Sequence, residues 1–458
     1  MKHNHKLALV LAAGKGTRMR SDLPKVLQSL GGKAMIKHLL ETLQQVKDID
    51  IAIIYGYQGN VLQEALNEDY QNLSWVAQEE QLGTGHAVRQ ALPLLETNGV
   101  TLIVFGDGPF LQLDTINKLI NVAEEKGAAL LTATVDNPFG YGRIIRNEQK
   151  EIVGIIEEKD TNEMEKGIKE INVGVMAIQN HLLAKFIPMI SCQNAQKEYY
   201  LTDIIGLLSA NGETVDSVSI KEVDEMIGIN DKIQLAEAER IYRQQQVKKL
   251  LDKGVTIIDP LRCDIHGEVE VGKDVIIEPN VFFKGKVIIG DRVIIEAGSI
   301  LENCTIGNDS VIHAYSIIEK TTVEQAVNVG PFARLRPNTI LHSHSRIGNF
   351  VEIKGSTIGI ESKVNHLSYI GDSVVGSKVN IGAGTITCNY DGKNKFKTMI
   401  GDNVFVGSNT ALVAPLSLGN NVTIGAGSVI TKDIIPNALA LTRAKIKIKE
   451  DWKKFESN

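Results

Sequence analysis

A glycine-rich segment with two cationic side chains follows the first apolar stretch of the chain. Residues 7–11 predict a strand, and they run directly into the sequence LAAGKGTRM at residues 11–19, with a Pro-Lys pair shortly after. Such a turn at the carboxyl end of a parallel strand can bring backbone N–H groups against phosphates, while Arg18 and Lys25 supply positive charge. The segment matches neither the Walker pattern nor a complete G-x-G-x-x-G, because Met19 occupies the last glycine position. It predicts a phosphate site, with an ordinary tight turn as the alternative.

A second set of reactive side chains lies in the carboxyl-terminal half. Three segments, PFARLRP, NFVEIK and NHLSY, recur there at similar intervals. Residues one repeat apart lie on neighbouring layers of a stack, so Arg336, Lys354 and Tyr369 are expected to line one groove. Two neighbouring cations suit a phosphate, although isolated Lys and Arg more often form a solvated face. His366 lies beside an inward aliphatic position and is either a surface corner residue or a base.

The amino-terminal half must position the first of these sites. Residues 1–228 alternate short apolar strands with helical patterns, which predicts an α/β domain, Rossmann-like and with a mostly parallel sheet. The strand candidates are residues 7–11, 51–55 and 102–105, and helix-spaced apolar residues occupy 24–45 and 85–95. Residues 229–252 contain neither glycine nor proline, and they predict a single linker helix that Gly254 ends.

The region from 253 to 458 contains an internal repeat of six residues. An aliphatic or aromatic residue occurs at every sixth position, and the register shifts by one residue at a few points. Glycine follows many of these apolar residues. One buried residue per six suits a triangular solenoid in which three short strands complete a coil, and glycine is expected to permit the backbone geometry of the corners. The repeat lapses in the polar segment at residues 388–397, which is expected to leave the solenoid as a loop. The composition resembles that of the left-handed parallel β-helix.

Composition limits the classes of function. The 458 residues exceed what one hydrophobic core needs, and 49 Lys and Arg against 55 Asp and Glu give a net charge of −6, which disfavours a nucleic-acid partner. The four cysteines are scattered and form no zinc or redox motif. No stretch approaches the roughly 20 apolar residues that span a bilayer. We expect a cytoplasmic protein with small-molecule substrates.

The glycine-rich segment resembles the signature of nucleotidyltransferases that join a sugar 1-phosphate to a nucleoside triphosphate. Together with QEEQLGTG at residues 78–85, FGD at 105–107 and GYGR at 140–143, it resembles the uridylyltransferase branch. Because hexapeptide repeats follow, the whole chain resembles the bacterial family of bifunctional N-acetylglucosamine-1-phosphate uridylyltransferases and glucosamine-1-phosphate N-acetyltransferases. The resemblance implies acetyl transfer from acetyl-CoA, then uridylyl transfer from UTP, a homotrimer, and a product that feeds peptidoglycan and lipopolysaccharide synthesis.

The resemblance also implies site residues. In the first site, Arg18 and Lys25 take part in the chemistry, and the nucleotide and sugar contact Leu11, Ala12, Ala13, Gly14, Lys25, Gln78, Gly83, Thr84, Gly142, Glu157, Asn172 and Asn230. In the second site, His366 is the general base, which takes the proton of the attacking amine. The acceptor sugar phosphate contacts Arg336, Glu352, Lys354, Tyr369 and Asn380, and acetyl-CoA contacts Ala383, Asn389, Tyr390, Ser408, Ala426 and Arg443.

Magnesium is the implied metal, with Asp107 and Asn230 as its ligands. Attack of one phosphate on another polyanion needs charge neutralisation, which a hard cation on oxygen ligands supplies. Taken alone, Asp107 could be a turn or cap residue, and Asn230 could cap the linker helix. The chain departs from the family at Gly108 and Phe110, where an aliphatic residue or Thr and then Pro-Leu are usual, so the metal loop could be looser.

Two other classes of function compete with a two-reaction enzyme. In one, only the nucleotidyltransferase is active, and the solenoid is an assembly or allosteric module. In the other, the chain is a non-catalytic regulatory subunit. The first predicts no cluster of Arg336, Lys354 and His366, and the second predicts loss of Asp107 or Lys25. The sequence contains all five residues.

Overall fold

A computed structural model describes residues 5–452. The chain divides into two compact units, residues 1–241 and 242–458. The division falls inside the helix Lys232–Asp252, later than the predicted domain end at residue 228. The basic tail at residues 445–454 is predicted to be either a solvated end or a contact for the phosphates of CoA, and its Lys453 and Lys454 lie outside the described residues.

The first unit is built on a mostly parallel sheet with helices packed against it, as the sequence predicts. Its strands follow the spatial order Val215–Ser219, Ala128–Thr134, Glu170–Gln179, Gly99–Phe105, His5–Ala12, Ile49–Tyr55 and Leu73–Ala77. Only Glu170–Gln179 runs antiparallel within this order, and the strands Arg143–Arg146 and Ile152–Ile156 extend from it. Apolar side chains pack on both faces of the sheet, as expected when helical crossovers cover it.

The helices of the first unit differ from prediction in one place. They are Met35–Leu43, Gly59–Asn67, Thr84–Gln90, Leu113–Lys126, Asn180–Phe186 and Asp203–Ala210. The apolar spacing over residues 24–45 predicts a helical crossover, and that is wrong for residues 28–34. A hairpin of Ser29–Leu30 and Lys33–Ala34 forms there because Gly31 and Gly32 take positive φ angles of 57° and 89°.

The predicted linker helix forms as Lys232–Asp252. Asp231 caps its start, because its Oδ1 accepts the backbone N–H groups of Ile233 and Gln234 at 2.9 Å each. At its end Gly254 takes a φ of 89°, and the N–H of Val255 bonds the carbonyl of Leu250 at 3.1 Å. Across residues 5–452, no helix has the length and apolarity needed to cross a membrane.

The second unit is a left-handed parallel β-helix with three faces of short in-register strands. The first face comprises Thr256–Ile257, Ile276–Ile277, Ile294–Ile295, Val311–Ile312, Asn328–Val329, Arg346–Asn349, Lys363–His366, Asn380–Ile381, Phe405–Val406, Thr423–Ile424 and Leu439–Ala440. The long strands Cys263–Val271 and Val281–Ile289 begin the other two faces together. The second face continues as Ile300–Glu302, Ile317–Glu319, Arg334–Leu335, Glu352–Lys354, Tyr369–Gly371, Ile386–Cys388, Ala411–Val413 and Val429–Ile430. The third face continues as Thr305–Ile306, Thr321–Val323, Thr339–Leu341, Thr357–Ile358, Ser373–Val375, Thr398–Ile400 and Leu416–Leu418.

The six-residue repeat marks the interior of this solenoid. The predicted inward residues from Ile277 to Ile430 all belong to one buried core, and Val271 packs against it partly exposed. The residues are Ile277, Phe283, Ile289, Ile295, Leu301, Ile306, Ile312, Ile318, Val323, Val329, Leu335, Leu341, Ile347, Ile353, Ile358, Val364, Ile370, Val375, Ile381, Ile400, Val406, Leu412, Leu418, Ile424 and Ile430. Each coil therefore buries side chains against its neighbours.

The reason predicted for the repeat glycines is wrong. Of the twelve glycines that follow inward aliphatics, only Gly330 has a positive φ angle. Gly371 lies under the ring of Tyr369, and the other ten lie where consecutive coils approach closely: a Cβ built on Gly348 would lie 1.9 Å from the carbonyl oxygen of Asn365, and one on Gly407 would lie 2.4 Å from the nitrogen of Ala426. These ten glycines are required by the close approach of neighbouring coils.

Candidate functional site

The predicted nucleotide residues surround one cleft of about 370 Å³ in the first unit. Among its lining residues are Leu11, Ala12, Ala13, Gly14, Lys25, Gln78, Gly83, Thr84, Asp107 and Asn230. Gly16 has a φ of 59°, and a Cβ there would lie 2.8 Å from the Cβ of Lys25. The glycine-rich turn therefore packs directly against the backbone that carries Lys25.

A compact polar cluster closes one end of this cleft. Lys25 Nζ donates to Asp107 Oδ2 and, at 3.1 Å, to Asn230 Oδ1. Arg18 Nη2 donates to the same Asn230 oxygen at 3.0 Å. The structure thus brings together the two predicted cations and both predicted metal ligands. The ammonium group of Lys25 neutralises the carboxylate of Asp107.

Backbone contacts hold the two predicted metal ligands side by side. The N–H of Ile229 donates to the carbonyl of Asp107 at 3.1 Å, which joins the segment before the long helix to the end of the central strand. The cap of that helix is Asp231, so the side-chain oxygen of Asn230 is available to the cleft. The capping role considered for Asn230 therefore belongs to its neighbour.

The oxygen atoms of Asp107 and Asn230 fit magnesium. Both accept hydrogen bonds from the same ammonium nitrogen, so one cation can reach both. Within residues 5–452, no group of three or more His, Cys, Asp or Glu forms a complete metal site. Magnesium is commonly bound by one or two carboxylates together with substrate phosphates and water, so two oxygen ligands from the protein are sufficient.

A backbone turn holds Gly108 in this structure. Its N–H donates to the carbonyl of Phe105 at 3.1 Å, and a Cβ built on it would make only one contact, at 3.5 Å to the same carbonyl oxygen. The other departure, Phe110, is buried in the core. The loop is therefore held by a backbone turn and a buried aromatic ring.

The three predicted sugar residues form a group next to the cleft. The N–H of Asn172 donates to the carbonyl of Gly142 at 2.9 Å, and a Cβ on Gly142 would lie 3.6 Å from Glu157 Oε2. Thr202, which the sequence reasoning missed, donates its hydroxyl to Glu157 Oε1 at 2.8 Å. Burial raises the pKa of Glu157, and the Thr202 hydrogen bond opposes the rise. A partly desolvated carboxylate is suited to bind sugar hydroxyl or amide N–H groups.

The second predicted site occupies the second face of the solenoid. Arg336 Nη1 donates to Glu352 Oε1 at 2.8 Å, and Glu352 is in register with Tyr369 on the next coil. The ring of Tyr369 lies over Gly371, where a Cβ would meet its hydroxyl at 2.5 Å. Lys354 follows on the same strand as Glu352. Four of the five predicted acceptor residues therefore share one face.

The fifth acceptor residue lies elsewhere. Asn380 is on the first face, in register with Lys363. The first and second faces are separate sides of the solenoid, so outward side chains on them point in different directions. A single chain does not bring Asn380 to the side chains of Arg336, Glu352 and Tyr369.

His366 ends its first-face strand beside a corner and is exposed. Its Nδ1 lies 3.0 Å from Asn349 Oδ1 on the previous coil. With Nδ1–H donating to this amide oxygen, the neutral ring has its lone pair on Nε2. This is the tautomer that a base needs, and the sequence reasoning did not select Asn349.

The predicted acetyl-CoA residues continue along the same corner. The N–H of Asn409 donates to the carbonyl of Ala383 at 2.7 Å, and the N–H of Gly427 donates to the carbonyl of Ser408 at 2.8 Å. Ala383, Ser408 and Ala426 therefore occupy equivalent positions on three successive coils. A Cβ on Gly425 would lie 3.5 Å from Arg443 Nη2, so the arginine lies beside this column.

Comparisons with known proteins cover both units. Sequence models match residues 8–167 as a MobA-like NTP transferase domain, 268–302 as a bacterial transferase hexapeptide (six repeats) and 317–415 as a GMPPB C-terminal domain. A protein of Dichelobacter nodosus (strain VCS1703A), named Bifunctional protein GlmU, is 52% identical over 455 residues, which cover 99% of this chain and 98% of that protein. This chain belongs to the GlmU family. A protein of that name from Acinetobacter baumannii (strain AYE) is 48% identical over 95% of this chain and 96% of its own.

A solved structure is less similar to this GlmU family member. UDP-glucose pyrophosphorylase complexed with UDP-glucose aligns with 53% of this chain and 99% of its own, with 16% identity and a TM-score of 0.45.

The structure of this GlmU family member also shows a cation that the sequence reasoning did not select. The ammonium group of Lys395 lies beside that of Lys354 and is the main cause that lowers the pKa of Lys354; burial and Arg336 act in the same direction. Lys395 belongs to the loop at residues 388–397, whose base is fixed where Asn389 Nδ2 donates to Asp372 Oδ2 at 2.5 Å. The only sign of Lys395 in the sequence is the lapse of the repeat at residues 388–397. The lapse predicts a loop, but it does not predict which loop residue contacts the solenoid.

Proposed function

We propose that each unit of this GlmU family chain carries one of two transferase sites. The first unit transfers a uridylyl group from UTP to N-acetylglucosamine 1-phosphate and releases pyrophosphate. The second unit transfers the acetyl group of acetyl-CoA to glucosamine 1-phosphate, which supplies the substrate of the first. The product, UDP-N-acetylglucosamine, would serve cytoplasmic synthesis of precursors for peptidoglycan, lipopolysaccharide or other cell-wall polymers.

The observation that supports the uridylyl site is the convergence of Arg18, Lys25, Asp107 and Asn230 on one end of the cleft. Asp107 and Asn230 would hold magnesium, which neutralises phosphate charge when bound. Lys25 is then free to turn from Asp107 towards the triphosphate, and Arg18 lies on the same side of Asn230. Gln78, buried at the base of the cleft, can read the edge of the nucleobase with its amide.

The corner beside His366 supports the acetyl site. Before His366 the corner positions hold large exposed side chains, Tyr315, Phe332 and Phe350, whose rings stack at 5.4 Å. After it the corresponding positions are Gly384, Asn409 and Gly427, each with positive φ. With small residues at these positions, an extended pantetheine arm can lie beside Ala383, Ser408 and Ala426. The thioester would then lie at His366, whose Nε2 can accept the proton of the attacking amine.

A trimer would complete this second site. Asn380 and the cluster around Lys354 lie on different faces of one chain, so they meet only if the first face of one subunit lies against the second face of another. The exposed corner of stacked aromatic rings next to His366 provides apolar surface for such a contact. Closed cyclic assembly repeats the contact three times.

A paired assay on the full chain tests the two activities. Glucosamine 1-phosphate and acetyl-CoA should release free CoA thiol without UTP, and N-acetylglucosamine 1-phosphate, UTP and magnesium should release pyrophosphate without acetyl-CoA. Pyrophosphate release without CoA release would support the alternative in which the solenoid is only an assembly module. Absence of both from folded protein would contradict the proposal.

A further inference from the structure

Glu225 is a buried carboxylate to which neither proposed site assigns a role. Its side chain is buried, with the residue 4% exposed, and no other acidic residue among residues 5–452 is as deeply buried. Lys221, a cation close to it in the chain, pairs with Asp114 instead at 3.3 Å. Removing a carboxylate from water is costly unless hydrogen bonds replace the lost hydration. The burial of Glu225 therefore depends on the hydrogen bonds that its two oxygen atoms accept.

Both oxygen atoms of this carboxylate bind backbone N–H groups, and they do so in different parts of the chain. Oε2 accepts the N–H of Gln112 at 3.2 Å. Oε1 accepts the N–H groups of Lys221 and Glu222 at 3.3 and 3.4 Å. Gln112 immediately precedes the helix Leu113–Lys126, so its N–H has no acceptor within that helix. The carboxylate therefore joins the start of this helix to a distant turn of the chain.

A second contact joins the same two parts of the chain at the predicted metal ligands. The N–H of Ile229 donates to the carbonyl of Asp107 at 3.1 Å, and Ile229 is completely buried. Residues 107–112 and 225–230, which we call the paired segments, are thus held together by the buried carboxylate at one end and by this backbone bond at the other. Asp107 and Asn230 lie at the second end. The spacing of their side chains depends on how the paired segments are aligned.

We propose that Glu225 is a positioning residue for the magnesium site of the uridylyl reaction, an inference that rests on the proposed function. Its carboxylate keeps the paired segments aligned so that Asp107 and Asn230 can reach one cation together. A glutamine has nearly the same shape but only one acceptor oxygen, so it can satisfy one segment and must turn N–H groups towards the other. A packing role tolerates this exchange, whereas the positioning role requires both oxygen atoms.

A magnesium titration of full-length Glu225→Gln tests the proposal. Pyrophosphate release should require roughly threefold to tenfold more magnesium for half its maximal rate, the scale of one lost hydrogen bond. Excess magnesium should restore most of the parent rate. CoA release reports on the other unit and should not change.

Asp114→Asn is the matched control for this titration. Asp114 and Lys221 also join the start of the helix to the turn, but both side chains are exposed, and exposed ion pairs contribute little. The control should therefore titrate like the parent. An unchanged magnesium requirement in folded Glu225→Gln, or an equal fall in its rate at all magnesium concentrations, would overturn the proposal.

Hydrogen–deuterium exchange provides a readout that needs neither metal nor turnover. In the parent, the amide of Gln112 should exchange roughly tenfold or more slowly than an unstructured amide. In Glu225→Gln, exchange should increase in the paired segments and stay unchanged in the solenoid. An unprotected Gln112 amide in the parent would overturn the proposal whether or not the variant folds. A parent protein that releases no pyrophosphate at any magnesium concentration would instead contradict the proposed function.

Discussion

At the scale of residues, the environment of Asp203 sets its protonation. Burial, followed by the charges of Glu157 and Asp160, raises the pKa of Asp203 from 3.8 to about 6. Asp203 begins the helix Asp203–Ala210, where the helix dipole favours a negative charge. Desolvation and the neighbouring acids favour the protonated form of Asp203.

This shift predicts how the stability of the first unit depends on pH. The folded state holds the proton more tightly, so the stabilisation from the protonated group is complete below 3.8 and is lost as pH rises through about 6. Asp203→Asn should therefore melt higher than the parent at pH 7 to 8, by roughly 2 °C or more, and the gap should close near pH 4. The exposed Asp136→Asn is the control and should show no such trend. A less stable Asp203→Asn protein at pH 7 would refute the argument.

At the scale of elements, the sequence predicts features that a single strand or helix determines on its own. It does not predict features that depend on a contact between two elements. The six-residue repeat locates the buried residues of the solenoid because each inward side chain is set by its own strand. The role of Gly348 could not be predicted, because it depends on the carbonyl of Asn365 one coil away. Likewise, Lys395 is one polar loop residue among several until the fold places it beside Lys354.

The long helix provides a prediction at the same scale. Its first turns belong to the first unit: both carboxylate oxygens of Glu239 accept the N–H of Gly31 at 3.1 Å, and Lys232 donates to Gln28. A fragment of residues 1–241 should therefore fold and release pyrophosphate at a rate near that of the parent. A fragment ending at 228 lacks Asn230 and should lose most of that activity. Equal activity of the two fragments, both folded by circular dichroism, would show that Asn230 is dispensable.

At the scale of the whole molecule, a site shared between subunits predicts complementation. Lys354→Ala and Asn380→Ala should each abolish most CoA release. Co-expression of the two variants forms mixed trimers. In about one quarter of their sites, the second face comes from an Asn380→Ala chain, whose Lys354 is intact, and the first face comes from a Lys354→Ala chain, whose Asn380 is intact. Acetyl transfer should therefore recover to roughly a quarter of the parent rate. No recovery in mixed assemblies of confirmed composition would indicate that both residues act within one chain.

The central claim is that this chain carries two independent active sites, and one matched pair of variants tests it most directly. CoA release and pyrophosphate release should be measured for Asp107→Ala and His366→Ala in the full-length protein, with circular dichroism and assembly mass confirming the fold. Asp107→Ala should abolish pyrophosphate release and retain CoA release. His366→Ala should slow CoA release by roughly 100-fold or more and retain pyrophosphate release. Loss of both activities in either folded variant, or near-normal CoA release from His366→Ala, would contradict the account.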